Sequence, residues 1–195
     1  LKNGAITPEK AMDIKTLKWQ KDKSWGKYFV TRVHESNGPV NLENALVASD
    51  NIYFAQTALA IGKDAFAAGL KEYGFEEEIP YAFPLELSKI GNLDNEIALA
   101  DSGYGQGQVE MSIVHLLTTY TPFVNGGKMV KPTLLLEDEK GQALKSGVMT
   151  EETATVISNS LRKVVADSDG TAHAADIPGY PLAGKTGTAE LKLSQ

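Results

Sequence analysis

The chain has 195 residues, 42% of them apolar, which is enough for one domain with a real core and argues against wholesale disorder. Its 19 basic and 25 acidic residues leave a net charge of −6 with no basic stripe, so nucleic acid is not an expected partner. There is no cysteine, and the three histidines (His34, His115 and His173) lack ligand spacing; disulfides and thiolate metal sites are excluded, and no metal or other cofactor is expected.

No apolar run approaches the roughly 20 residues of a membrane span, and no signal peptide opens the chain. Leu1 is not a natural start, so the sequence reads as a piece of something longer. Residues 1–35 are polar and broken by Gly4, Pro8 and Gly26. Trp19, Trp25, Tyr28 and Phe29 interleave there with Lys18, Lys21, Lys23 and Lys27. Such interleaving can mark nucleic-acid or sugar binding, but in an acidic chain it reads as the packing of a surface hairpin. The turn Asn37-Gly38-Pro39 leads to Asn41, an N-cap for a helix through Ala48. Ser49-Asp50-Asn51 follows, by itself a plain helix-start signal. Asn51–Ile61 is apolar on more than one face, which predicts a buried helix ended by Gly62.

A second helix is expected over 63–73, stopped by Gly74, then an acidic, proline-containing loop over 76–84 and a short helix or irregular stretch over 95–102. Gly103-Tyr104-Gly105-Gln106-Gly107 lacks the GxxxxGK[ST] pattern of a phosphate cradle and reads as a tight turn permitting close approach. Residues 112–124 predict an amphipathic helix with Ile113, Leu116, Leu117 and Tyr120 on one stripe and His115 as a surface or core histidine. A strand is expected over 129–136 despite Pro132, turning at Glu139-Lys140-Gly141-Gln142 into residues 143–148. Thr150 opens a helix to about Ala166, with Glu151 and Glu152 at its positive dipole end. After a loop over 167–170, residues 180–193 predict a strand.

That strand carries Gly184-Lys185-Thr186-Gly187-Thr188. Period-two alternation puts Lys185 and Gly187 on one face, with Thr186 and Thr188 on the other or along the edge. Gly187 lets a backbone or ligand approach closely. A fixed positive charge, two hydroxyls and free backbone groups suit a carboxylate and an amide. Lys-Thr-Gly alone occurs by chance. Ser-Asp-Asn followed much later by Lys-Thr-Gly is the motif order of penicillin-binding proteins and class A β-lactamases, whose remaining element is an upstream Ser-x-x-Lys nucleophile.

The chain resembles the transpeptidase domain of class B penicillin-binding proteins, and more narrowly the low-affinity, methicillin-resistance-protein-like type of Gram-positive bacteria. The likeness rests on five ordered stretches: residues 19–26, Ser49-Asp50-Asn51-Ile52, Leu93-Asp94-Asn95-Glu96, residues 100–107 and residues 184–192. It implies an α/β fold, here a fragment of the penicillin-binding-protein/β-lactamase-like fold: mostly its helical subdomain, with a hairpin and the Lys-Thr-Gly strand. It implies a peptidoglycan D,D-transpeptidase parent, anchored at the extracytoplasmic face of the bacterial membrane, acting on stem peptides and acylated by β-lactams. By resemblance, Ser49 relays a proton to the leaving amine, Asn51 orients the substrate and Asp50 braces the turn. Lys185 lends positive potential, Thr186 and Thr188 hold a carboxylate beside Gly187, and the Thr188 backbone supplies an oxyanion donor.

The departure from the family is the nucleophile, which is expected before Leu1, with further sheet strands after Lys192. Ser24-Trp25-Gly26-Lys27 and Ser160-Leu161-Arg162-Lys163 match Ser-x-x-Lys, but one sits in an aromatic hairpin and the other between the second and third motifs. One partial domain over 1–195 is therefore expected, inactive alone and prone to self-association through an unpaired strand. The rival readings are a class A β-lactamase-like hydrolase, which would need a Glu-activated water (Glu86 lacks the matching neighbours), and a β-lactam or muropeptide sensor.

Overall fold

The computed structural model describes residues 1–187. Near the N-terminus β1 (Lys18–Trp19) pairs antiparallel with β2 (Val30–Thr31), Trp19 opposite Val30. Between them Asp22 caps a 3-10 turn, Lys23–Trp25. Trp25 is buried and Trp19 meets it edge-on at 5.4 Å. The aromatic–basic stretch is thus a packed hairpin with its lysines outside, as the acidic composition implied.

Six helices follow. Asn41 caps α1 (Leu42–Val47) by accepting the Asn44 N–H. The central helix α2 (Asn51–Ile61) is fully enclosed at Ile52, Tyr53 and Ala55, in keeping with its apolar faces. Gly62, at φ +78°, ends α2 and starts α3 (Lys63–Glu72). Asn95 caps α4 (Glu96–Ser102), which lies against α2. The contact is close because Gly103 has no side chain: a Cβ there would fall 2.5 Å from the Phe54 carbonyl oxygen. The glycine-rich segment is the close-approach turn the sequence suggested. After α5 (Ile113–Tyr120), β3 (Met129–Val130) pairs antiparallel with β4 (Ala143–Lys145). Thr150 caps α6 (Glu151–Ala166), which packs on α1. One core joins the hairpin, α1, α2 and Val164 of α6; a second gathers Ala58, Phe75, Ile90, Leu93 and Leu99.

Three expectations need correction. The apolar stripe of α5 faces outward: Ile113 is 85% and Leu117 69% exposed, with Leu116 and Tyr120 also exposed. The inward face carries His115 and Thr118 instead. His115 is a core histidine, bonded to Ser88 Oγ (2.5 Å) and the Tyr73 carbonyl (2.8 Å) and set against Phe75. The expected strand over 129–136 pairs only as far as Lys131, whose N–H meets the Gln142 carbonyl at 2.8 Å. Pro132 then has no N–H to donate, and the Leu134 and Leu135 amides turn to the Asp138 carboxylate. Finally, residues 181–187 have no regular secondary structure and lie in no ladder among the described residues. Residues 188–193 of that expected strand lie outside the described residues.

Candidate active site

Ser49 stands at a corner between two helices. Its N–H bonds to the Leu46 carbonyl (3.3 Å), and the Asp50 N–H reaches back to Ala45 (2.9 Å). This pair of bonds is the Schellman closure of a helix C-terminus, which calls for a left-handed residue and usually finds glycine. Here a serine takes φ +55°. A residue with a Cβ in that region costs about 1 kcal/mol relative to glycine. The local fold would be content with glycine, so the hydroxyl is retained against a backbone preference.

The next residue is shared by both helices. Asp50 closes α1 and caps α2, its Oδ1 accepting the Ile52 and Tyr53 N–H groups at 3.0 and 3.1 Å. Its Oδ2 receives the Arg32 guanidinium at 2.6 Å, with both side chains buried. Arg32 also donates to the carbonyls of Ile14 (2.9 Å) and Thr16 (3.1 Å), so its charge is fully engaged. Asn51, the first residue of α2, donates its amide to the Thr31 carbonyl at 2.9 Å. Consecutive residues of the hairpin, Thr31 and Arg32, thus grip the corner on either side of the α2 start.

Lys185 arrives from 136 positions away and places Nζ 2.6 Å from Ser49 Oγ. Its other neighbours are the Thr186 carbonyl oxygen (3.0 Å) and Thr186 Oγ1 (3.3 Å). Burial holds the Lys185 pKa below its ordinary value. An ammonium can only donate, so the Ser49 proton stays free for a second partner. The segment is fastened to α6: Arg162 donates to the Leu182 carbonyl (2.7 Å), and the Gly184 N–H to the Leu161 carbonyl (3.1 Å).

Ser49, Asn51, Lys185, Thr186 and Gly187 line one cleft of about 240 Å³, walled by Leu46, Phe54, Tyr104 and Gln106. Thr188 lies outside the described residues. A cation against a hydroxyl, beside an anchored amide and an apolar wall, is an arrangement for proton transfer and anion recognition. The sequence model of the penicillin-binding protein transpeptidase domain matches residues 1–195.

The chain belongs to that family.

Among relatives of this transpeptidase domain, penicillin-binding protein 3 of Bacillus subtilis is 52% identical over the whole chain, which spans 30% of that relative's length. A probable peptidoglycan D,D-transpeptidase of Pseudomonas aeruginosa is 31% identical over 77% of the chain and 26% of its own length. The solved D,D-transpeptidase domain of a peptidoglycan glycosyltransferase from Eggerthella lenta superposes with a TM-score of 0.83 at 22% identity, covering 97% of this chain and 50% of that one. The fold is therefore that of a helix-rich α/β transpeptidase domain with small hairpin sheets.

Neither Ser-x-x-Lys match of this transpeptidase domain lines the cleft. Ser160 is buried with its hydroxyl on the Val156 carbonyl, while Lys163 pairs with Glu43. Ser24 lies in the 3-10 turn before Gly26, whose φ of +61° ends any helical register with Lys27. Sequence reasoning also missed a wall of the site. Asp101 on α4 accepts the Tyr104 hydroxyl at 2.6 Å and the Tyr28 hydroxyl as well. Burial first, then Asp101, pushes the Tyr104 phenol well above its usual pKa and keeps it neutral. The hairpin and the glycine-rich turn are thereby tied to one carboxylate. The sequence signals were the matching stretch 100–107 and the three-residue spacing of Asp101 and Tyr104, and neither points to Tyr28.

Proposed function

We propose that the protein carrying this chain is a peptidoglycan D,D-transpeptidase, acting on stem peptides at the extracytoplasmic face of the bacterial membrane and acylated by β-lactams. The observation that carries the reading is Lys185 Nζ at 2.6 Å from Ser49 Oγ, joining the second and third motifs in one cleft. In this reading the nucleophilic serine comes from a Ser-x-x-Lys segment outside the chain. It attacks the substrate carbonyl and gives up its proton. Ser49 passes its own proton to the departing amine and takes up the one released, so that an ester and a free amine replace the amide. Lys185 keeps the serine oxygen supplied with positive potential. Asn51 orients the peptide; Thr186 and Thr188 receive the carboxylate, with Gly187 leaving room for the backbone.

The test is labelling of the full-length protein with a fluorescent penicillin. One stoichiometric adduct is expected, on a serine outside residues 1–195, and labelling slows in Ser49→Ala and Lys185→Ala. An adduct on a serine within the chain, or no adduct at all, rejects the reading.

Two narrower points belong to the same proposal. Membership of the low-affinity group rests on the five matching stretches alone, and is checked by whether acylation of the full-length protein is slow while noncovalent binding is ordinary. Self-association of the 195-residue piece is checked by light scattering, where a strict monomer at high concentration ends that idea.

A further inference from the structure

Thr171 belongs to neither motif, yet it is bonded to both halves of the site. Its N–H (3.2 Å) and its hydroxyl (3.1 Å) both reach the carbonyl of Val47, the last residue of α1. The same Oγ1 lies 3.1 Å from Thr186 Oγ1. A hydroxyl carries one proton. With the Thr171 proton on Val47, the proton between the two threonines is that of Thr186, which donates to Thr171. That choice fixes the Thr186 rotor and leaves its lone pairs for Lys185 Nζ, 3.3 Å away. The ammonium has three protons, and among the described residues its acceptors are Ser49 Oγ, the Thr186 carbonyl and Thr186 Oγ1. The set is complete only while Thr186 presents a lone pair.

We propose that Thr171 is a positioning residue of the acyl-transfer site: it holds the Thr186 hydroxyl as an acceptor toward Lys185 and so seats the ammonium against Ser49 before substrate arrives. The proposal rests on the transpeptidase reading above. The loop presenting Thr171 is fixed independently of Thr186. Gly170 approaches α6 so closely that a Cβ would stand 2.3 Å from the Val164 carbonyl oxygen, and the Ala172 N–H bonds to that same oxygen at 3.0 Å. Thr171 therefore offers a preset acceptor, and preset geometry is worth most where a proton must move on cue. Before substrate arrives the Thr186 proton rests on Thr171, and the carboxylate gains it through a stronger, charge-assisted bond.

The experiment follows acylation of the full-length protein by a fluorescent penicillin over a range of concentrations, separating the acylation rate constant from noncovalent binding. Thr171 is solvent-exposed and valine is its isostere, so Thr171→Val keeps the fold. The loss of one positioned hydrogen bond is expected to lower the rate constant about five- to tenfold, with binding little changed and Thr171→Ser restoring the rate. In a Thr186→Val background, Thr171→Val adds no further loss. A wild-type rate in Thr171→Val overturns the proposal, as does a loss that persists in full without the Thr186 hydroxyl, since Thr171 would then act through Val47 alone. Absence of labelling in the unsubstituted protein is a different result and rejects the transpeptidase reading together with this one.

Discussion

The two halves of the cleft are built on different physical terms. The Ser49 corner is over-determined: a Schellman closure, a shared cap, a buried ion pair and the Asn51–Thr31 bond all fix it within three residues. The Lys185 segment has no ladder among the described residues and is held by the Leu182, Gly184 and Thr186 contacts to α6 and its following loop. A strained residue such as Ser49 survives only where its surroundings leave no alternative. A cation with the substrate-facing role proposed for Lys185 is better placed on a segment with less invested in one position. The comparison makes substitutions at the corner global in effect and substitutions at the ribbon local.

The largest expected effect is at Asp50. Asp50→Ala strands the Arg32 charge in a buried site and removes the cap of α2, so unfolding free energy should fall by about 3–5 kcal/mol in denaturant titration. A loss under 1 kcal/mol would mean that the corner is no more fixed than the ribbon. Next comes Ser49, where the corner's stability and its chemistry pull apart. Ser49→Gly relieves the left-handed strain and should be about 1 kcal/mol more stable than Ser49→Ala. Both remove the hydroxyl beside Lys185, and acylation of the full-length protein should fall about 100-fold or more in each. Equal stability of the two variants would dissolve the strain argument.

The same contrast explains what the sequence could reveal. Helix caps and stops are local, so Asn41, Gly62 and Thr150 marked their elements correctly from neighbouring residues alone, while the stretch 95–102 was left between a short helix and irregular structure. The two motifs were visible as strings, and their convergence was inferred from their order. What could not be read were partners distant in sequence. Arg32 has no local signal pointing to Asp50, Tyr28 none pointing to Asp101, and Thr171 none pointing to Thr186. Periodicity also gave α5 its stripe without its direction, because the buried Ser88–His115 pair turned the polar side inward. Alternation similarly predicted a strand around Lys185, whereas a ladder needs a neighbour that no single segment can announce.

A smaller, local effect tests the ribbon's anchorage. Arg162→Met removes the donor to the Leu182 carbonyl and the longer contacts to Asp176. The global midpoint should move little, because the guanidinium is partly exposed. Local opening of 181–187 should become easier by about 1 kcal/mol, read as faster hydrogen exchange at the Gly184 amide. If the whole domain loses stability in step with that amide, the ribbon is part of the cooperative core and the distinction between the two regions fails.

The smallest effect is electrostatic and belongs to Lys185 itself. Burial lowers its pKa in the folded state from 10.5. Between that lowered value and the ordinary one, the unfolded chain binds more protons than the folded chain, so this group's contribution to stability rises with pH. Below the lowered value the lysine is charged in both states, and the desolvation cost is present in full. Lys185→Met has no such dependence. Urea titrations of both proteins near neutral pH and at about pH 10 should therefore show the wild type gaining on the variant as pH rises. The gain is modest, since the ammonium is only half-buried and solvent screens it. A difference moving the other way would mean that bonds to Ser49 and Thr186 outweigh desolvation, making the charged form the favoured one in the folded site.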